Sequence, residues 1–579
     1  MFKSRKRQRD ITIVLLVLLI CTIVGPINVN ATNVTKDKKL YDKNQQIAID
    51  FLDDSVTQKR LAEISDAIWS YAELGLEEYN TSNLLINYLE KEGFKIDKGV
   101  AGMPTAFVAT YSNGPGPTIG VLGELDSLPM LSQEAGNPEH TPVVQVNGAA
   151  APGHACTHNT MGTAAAGTVV AVKKAMDEGK FTGTIKMFAS PAEETVISRP
   201  FMVYAGLFDD VDVVIDNHGG SGFSTSYGVS SNTEWSFSVT FHGQTAHSAG
   251  SPWLGKSALD AVEIMNMNTE FLREHLHYTS RLHYVILEGG EAPNVVPDRA
   301  TTWYYVRNSD KLTKDDFDKV LNCAKAAALA TGTEMEITPY TAIHQCYRNE
   351  ALANIAQNNI KKVGMPKWTE EEHKFAKELQ KNLGAREVGL YDSSVIRDKP
   401  SGPSPVFVGG GSSDIGEVSL VVPLTTVNFP SSAPGVIGHH WSTTAVTGSS
   451  IAHKGLIAGA KVMAITAIEL MTSPAKIKEI NKEFRKMQEE HFYNYKNDGE
   501  KLILDENGKA QFESYLPYLF ERSGKYTFDP ENGKFFVPEG KKVAPPLGFL
   551  SEQMAKYRSQ MSKHYKTPDW YDGPPMVTK

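Results

Sequence analysis

Read as a succession of apolar and polar positions, the chain changes period several times. From 40 to 104 apolar residues recur at helical spacing, at 49–52, 61–76 and 84–92. Runs of strand type follow at 105–110, 118–122, 184–189 and 211–215, with an Ala- and Val-rich helical stretch, 160–176, among them. Strands alternating with helices predict an α/β sheet covered by helices. At Asn232 the texture changes. Segments 235–241, 282–287, 301–306 and 334–339 alternate as strands, while 257–275 and 315–331 read as helices. That order predicts a small α+β domain inserted into the first. Near 345 the α/β texture resumes, ending in one long helix, 446–471. The tail, 473–579, holds one charged helix, 474–493, then irregular Pro-bearing segments. The expected units are α/β segments 40–230 and 345–475, an inserted α+β domain 231–344, and a C-terminal extension 476–579.

The first residues need a separate reading. Lys3, Arg5, Lys6, Arg7 and Arg9 precede an unbroken apolar run, 11–24, which Gly25-Pro26 ends. Ala31 supplies a small residue at a cleavage position, so 1–31 reads as a secretory signal peptide. The apolar run is short for a bilayer span of about 20 residues, and a retained N-terminal membrane anchor is the alternative. No later stretch reads as a membrane span, so an exported protein without stable membrane insertion is expected. The 579 residues are 41% hydrophobic and 22% charged, which excludes disordered and collagen-like classes. A net charge of −9 without a dominant basic patch argues against nucleic acid as a partner. Four cysteines are too few for a disulfide framework. Cys323 and Cys346 either pair or remain free thiols.

The chemistry lies where elements end. Glu124-Leu125-Asp126 follows the run 118–122, Cys156-Thr157-His158 precedes the Ala-rich helix, Glu193-Glu194 follows 184–189, and His218 follows 211–217. Open α/β sheets build their sites at the carboxyl ends of strands. Thiolate, imidazole and carboxylate together suit zinc, with manganese or cobalt where oxygen and nitrogen dominate. Of two adjacent carboxylates, one can bind metal while its neighbour shuttles a proton. His275-Leu276-His277 is set aside because it closes a long helix of the inserted domain, and His154, His242 and His440 read as structural.

These motifs, with 241–247, 255–275, 293–298, 411–419 and 438–441, resemble the dinuclear-metal aminoacylase/carboxypeptidase metallohydrolase family, in its auxin-conjugate and aminobenzoyl-glutamate amidohydrolase branch. The resemblance runs from about 50 to 475. It implies that 40–230 and 345–475 form a zinc-peptidase-like catalytic domain with a mixed sheet, that 231–344 is a lid or dimerisation domain, and that the protein holds two divalent metal ions, zinc or manganese. Implied ligands are Cys156, His158, Glu194, His218 and His439, with Glu193 as general base and Asp126 orienting a ligand. In the wider family a His-x-Asp motif stands where this chain has Glu124-Leu125-Asp126, and Thr157 replaces the branch's usual glycine. His247 is implied to reach a neighbouring active site across a dimer, and Asn294 and Arg307 to hold the substrate's carboxylate. The expected activity is hydrolysis of N-acyl or N-aroyl amino acids by metal-activated water. The expected assembly is a homodimer or a pairing with a related second subunit. Competing readings are a dipeptidase or aminopeptidase of the same fold, and a non-catalytic binding protein.

Overall fold

The computed structural model describes residues 40–146, 148–403, 410–495, 514–524, 527–529, 534–536 and 545–578. The expected signal peptide and 496–513 lie outside them. Lys43 onward forms one unit.

Ten strands carry the architecture. In the catalytic part β1 (Lys95–Lys98), β2 (Phe107–Ser112), β3 (Thr118–Glu124), β4 (Thr184–Ser190), β5 (Val213–Gly220) and β10 (Leu424–Pro430) form a mixed sheet, ordered β1-β2-β4-β3-β5-β10. The last four are mutually parallel, and the first two join antiparallel at one edge. The inserted part holds β6 (Thr233–His242), β7 (Arg281–Glu288), β8 (Arg299–Asn308) and β9 (Glu334–Ile343), all antiparallel, ordered β7-β8-β6-β9. Helices Ala258–Leu272 and Asp310–Thr331 pack on this sheet around Trp235, Phe237, Phe241 and Phe317.

The buried helix His158–Glu178 lies against β3, and its small residues permit that approach: a Cβ on Gly162 would come within 2.9 Å of the Glu124 carbonyl. Packing along its length therefore fixes its first residue, His158. Boundaries differ from expectation where caps intervene. The helix expected at 61–76 spans Ser55–Tyr71, because Asp54 accepts the backbone N–H groups of Val56 and Thr57, and Ala72 turns left-handed. The helix expected at 446–471 is two helices, Trp441–Thr447 and Ser450–Met471, separated at Gly448. By length and composition Ser450–Met471 could cross a membrane, contrary to the sequence reading, but most of it is buried within the fold.

The tail contains more helix than expected. Three of its prolines, Pro517, Pro545 and Pro546, fall in the first turns of Leu516–Ser523 and Pro545–Met561, where the missing N–H costs nothing. Leu516 and Phe520 pack into the catalytic core, while Tyr515 and Leu519 join that of the inserted part. The final residues cover the N-terminal helices, with Arg558 3.2 Å from Glu77 and Val577 bound to Asn80. Cys323 and Cys346 are free thiols in separate cores.

Candidate active site and metal centre

The carboxyl ends of the parallel strands deliver side chains to one pocket, buried at Glu124 and His158 and open to solvent at His439. Glu124 ends β3, Glu193 and Glu194 follow β4, and His218 lies near the end of β5. Cys156 and His158 enter from the start of the long buried helix, and His439 from the loop after β10.

Two imidazoles have their tautomers set by the backbone. His158 Nδ1 lies 3.0 Å from the Asp126 carbonyl oxygen, and His218 Nδ1 lies 2.8 Å from that of Gly219. A carbonyl oxygen can only accept, so Nδ1 carries a proton on each ring, and in the neutral form Nε2 is left with a lone pair for a metal. His218 Nε2 is 3.6 Å from Cys156 Sγ. His158 Nε2 is 3.1 Å from Glu124 Oε2 and 3.8 Å from both Glu193 Oε2 and Glu194 Oε1. His439 Nε2 is 3.4 Å from Glu194 Oε2. Two groups of ligand atoms result, Cys156/Glu194/His439 and Glu124/His158/Glu193. Buried His158 Nε2 and Glu194 Oε1 have no hydrogen-bond partner. Orphaned acceptors converging in this way fit a pair of divalent cations.

Electrostatics agree. Glu124, Asp126, Glu193, Glu194, Asp216 and Asp414 lie close enough to influence one another, around one buried guanidinium, Arg199. With no cation between them, burial pushes the Glu194 carboxyl up to about 8 and Glu124 to about 7. Burial and the neighbouring Glu124 hold Glu193 well above the carboxylate range. The Cys156 thiol is raised to about 12 by burial and by Glu194. Positive charge at the pocket's centre would reverse these shifts.

Strain marks the supporting loops. Thr157, Ala192, Val196 and His439 have φ between 50° and 73°. For β-branched Thr157 and Val196 this is an uncommon conformation, at a cost of roughly 1–3 kcal/mol. Asp126 holds the Glu193-Glu194 turn by accepting both backbone N–H groups, at 3.1 and 3.0 Å. Buried Glu78 accepts the N–H of Ala192 from the other flank.

The remaining expected site residues belong to the inserted part. Arg307, on β8, pairs with buried Glu234 at 2.8 Å, and its charge reaches His439. His247 and Asn294 are exposed, and none of the contacts described for the pocket involves either. His247 Nδ1 accepts the N–H groups of Ala249 and Gly250, which leaves Nε2–H as the ring's outward donor. Of the histidines set aside, His154 is buried against the Ile68 carbonyl, His440 caps helix Trp441–Thr447, and His277 contacts Thr279. Sequence reasoning gave no role to Arg199 or Asp414. A lone arginine in the apolar stretch 196–203 was the available signal for the first.

Residues 232–330 match the peptidase dimerisation domain. The chain is 32% identical over 467 residues to one of the subunits of p-aminobenzoyl-glutamate hydrolase from Escherichia coli (strain K12), covering 76% of this chain and 96% of that protein. The chain belongs to the M20 peptidase family. Xaa-Arg dipeptidase of Mus musculus is 29% identical over 456 residues, covering 75% of this chain and 91% of that enzyme. A crystal structure from methicillin-resistant Staphylococcus aureus, provisionally described as an aminohydrolase, has a TM-score of 0.50 at 17% identity. The match covers 74% of this chain and all of that one. This M20 protein is a metal-dependent amidohydrolase with a dimerisation domain.

Proposed function

We propose that the enzyme is an exported homodimer that cleaves N-acyl or N-aroyl amino acids with Glu193 as its general base. The observation that carries the assignment is a difference between neighbours. Glu194 reaches both ligand groups, through Oε1 to His158 and Oε2 to His439, whereas Glu193 reaches only the His158 group. Glu194 then belongs with Cys156, His158, His218 and His439 as a ligand, and Glu193 is left to move protons. Two bound divalent ions, zinc or manganese, would supply a lowered water pKa and polarise the scissile carbonyl. Glu193 takes the proton of the attacking water and returns it to the leaving amine. His247, with Nε2–H outward, donates to the carbonyl oxygen of a substrate held by the partner protomer. Arg307 and Asn294 bind the substrate's carboxylate.

The dimer reading has support in the inserted part. The edge strand β7 pairs on one side only and exposes Val285 and Ile286. Beside it helix Ala258–Leu272 exposes Met267 and Phe271 one turn apart, and Arg273 next to that helix binds the Leu282 carbonyl. Monomers seldom leave such a face open. Export rests on the sequence of 1–31. A dipeptidase is the second reading, favoured by the likeness to Xaa-Arg dipeptidase.

Cys156→Ser and Glu193→Gln test the assignment together. Cys156→Ser exchanges a thiolate for a poor ligand and should lose metal. Glu193→Gln should keep both ions while losing about 100- to 10,000-fold in rate. Equal metal loss in both variants would falsify the division of roles. Release of amine from aminobenzoyl-glutamate rather than from dipeptides decides between the two substrate readings.

A further inference from the structure

Glu124 stands outside the division of roles between Glu193 and Glu194. It ends β3, buried, and its carboxylate is locked from one side. Oε1 accepts from Arg199 Nη1 at 2.8 Å. That arginine is fully buried and is tied in turn to Asp414, which accepts from its Nη1 and, at 2.9 Å, from its backbone N–H. Oε2 then stands 3.1 Å from His158 Nε2.

The Asp126 carbonyl engages a proton on His158 Nδ1, so in the neutral ring that metal binding requires, Nε2 and Oε2 face each other as two acceptors. Nε2 makes no hydrogen bond to any carboxylate around it, and Glu194 Oε1, 3.8 Å away, is likewise unpartnered. Positive charge belongs between groups placed this way, whether a second proton on His158 or a metal ion, and Glu124, His158 and Glu193 together form a group able to hold an ion. Ligand atoms each about 2.1 Å from a shared ion stand about 3.1 Å apart when they subtend roughly 95°. The Glu124–His158 spacing meets that condition.

We propose that Glu124 is itself a metal ligand, sharing an ion with His158 in an oxygen-rich site, and that Arg199 is the positioning residue that aims it. The proposal rests on the two-ion reading above and adds a consequence. The two ions occupy unlike sites, one with the Cys156 sulfur and one built from carboxylate and a single imidazole. The second suits a harder ion such as manganese, the first a softer one such as zinc.

The test is metal binding by the full chain, measured by elemental analysis and chelator competition with manganese and zinc separately. Glu124→Gln should weaken one ion by more than the roughly 10- to 100-fold that loss of an outer-sphere partner costs, leaving the other unchanged. Glu124→His should restore two ions and shift the weaker site's preference from manganese toward zinc. A metal-loaded crystal structure of the unaltered protein avoids any folding defect in the variants. It should place a Glu124 oxygen within bonding distance of an ion. An ion bound by His158 with Glu124 outside bonding distance overturns the proposal, as does Glu124→Gln holding both ions with unchanged affinity. Failure of the unaltered protein to bind two ions would instead sink the two-ion reading itself.

Discussion

The catalytic pocket and the inserted sheet hold their polar groups in opposite ways. In the pocket Glu193 and Glu194 are buried, and their backbone N–H groups both bind Asp126. Asp414 and Arg199 brace the same wall. On the inserted sheet His247 is exposed, and two backbone N–H groups within three residues of it orient its ring. Groups buried together cannot move independently, because each unpaired charge there would be costly. An exposed imidazole has no such restraint. The pocket is therefore preorganised by its own chain, whereas in the proposed dimer His247 would gain its role from a partner surface.

Mixing variants tests that division most severely. A His247→Ala chain and a Glu193→Gln chain should each be nearly inactive alone. Mixed dimers should regain activity, since one of their two sites then has both residues intact. If proven mixed dimers stay inactive, His247 serves its own chain or none.

Stability gives the next largest effect. Arg199→Met leaves Asp414 and Glu124 buried beside one another without their cation, and should cost about 3–5 kcal/mol in metal-free protein. Denaturant unfolding reads this directly. A loss below about 1 kcal/mol would mean that the pocket wall is less rigid than its hydrogen bonds imply.

The last effect is nil at neutral pH and appears only on acidification. Burial, with the neighbouring His158 charge, lowers the His154 imidazole to about 3, against the opposing hydrogen bond to the Ile68 carbonyl. Its folded value lies below its unfolded value of about 6.5, so the unfolded chain binds the proton first as pH falls. The stability it contributes is present above about 6.5 and is lost between there and about 3, by about 1.4 kcal/mol per pH unit. His154→Gln should flatten that part of the stability profile relative to the unaltered protein. An unchanged slope would show that water reaches the ring.

Much of the site was legible because its residues cluster at strand ends. Glu193-Glu194 follows an apolar run, and Cys156-Thr157-His158 precedes an Ala-rich one, so period and position pointed to one pocket edge. Asp126 stood out for the same reason, and its contact with His158 agrees with an orienting role. Thr157 was visible as a replacement for glycine. Its left-handed backbone, φ 73°, shows that the loop kept the glycine-like conformation and bears the strain.

Other features had little local signal. Arg199 stands out only as a lone charge in an apolar stretch, and nothing local ties it to Asp414, 215 residues away, until the fold brings them together. The break at Gly448 lies in the polar stretch Thr447-Gly448-Ser449-Ser450, so close to the expected helix start that it read as part of that end. The tail helices were masked by prolines that fall in first turns. His439 was told from its neighbour His440 by the family resemblance alone, and the structure turns His439 toward Glu194 while His440 caps a helix.

The sequence by itself determined the element types, the inserted sheet and the residues of the pocket, because these follow from periodicity and from chemistry at strand ends. Tertiary structure alone decided the proton positions on His158 and His218, the reach of Glu194 into both ligand groups and the confrontation of Glu124 with His158. Those depend on where distant backbone carbonyls and a buried guanidinium come to rest, and long-range packing sets such positions.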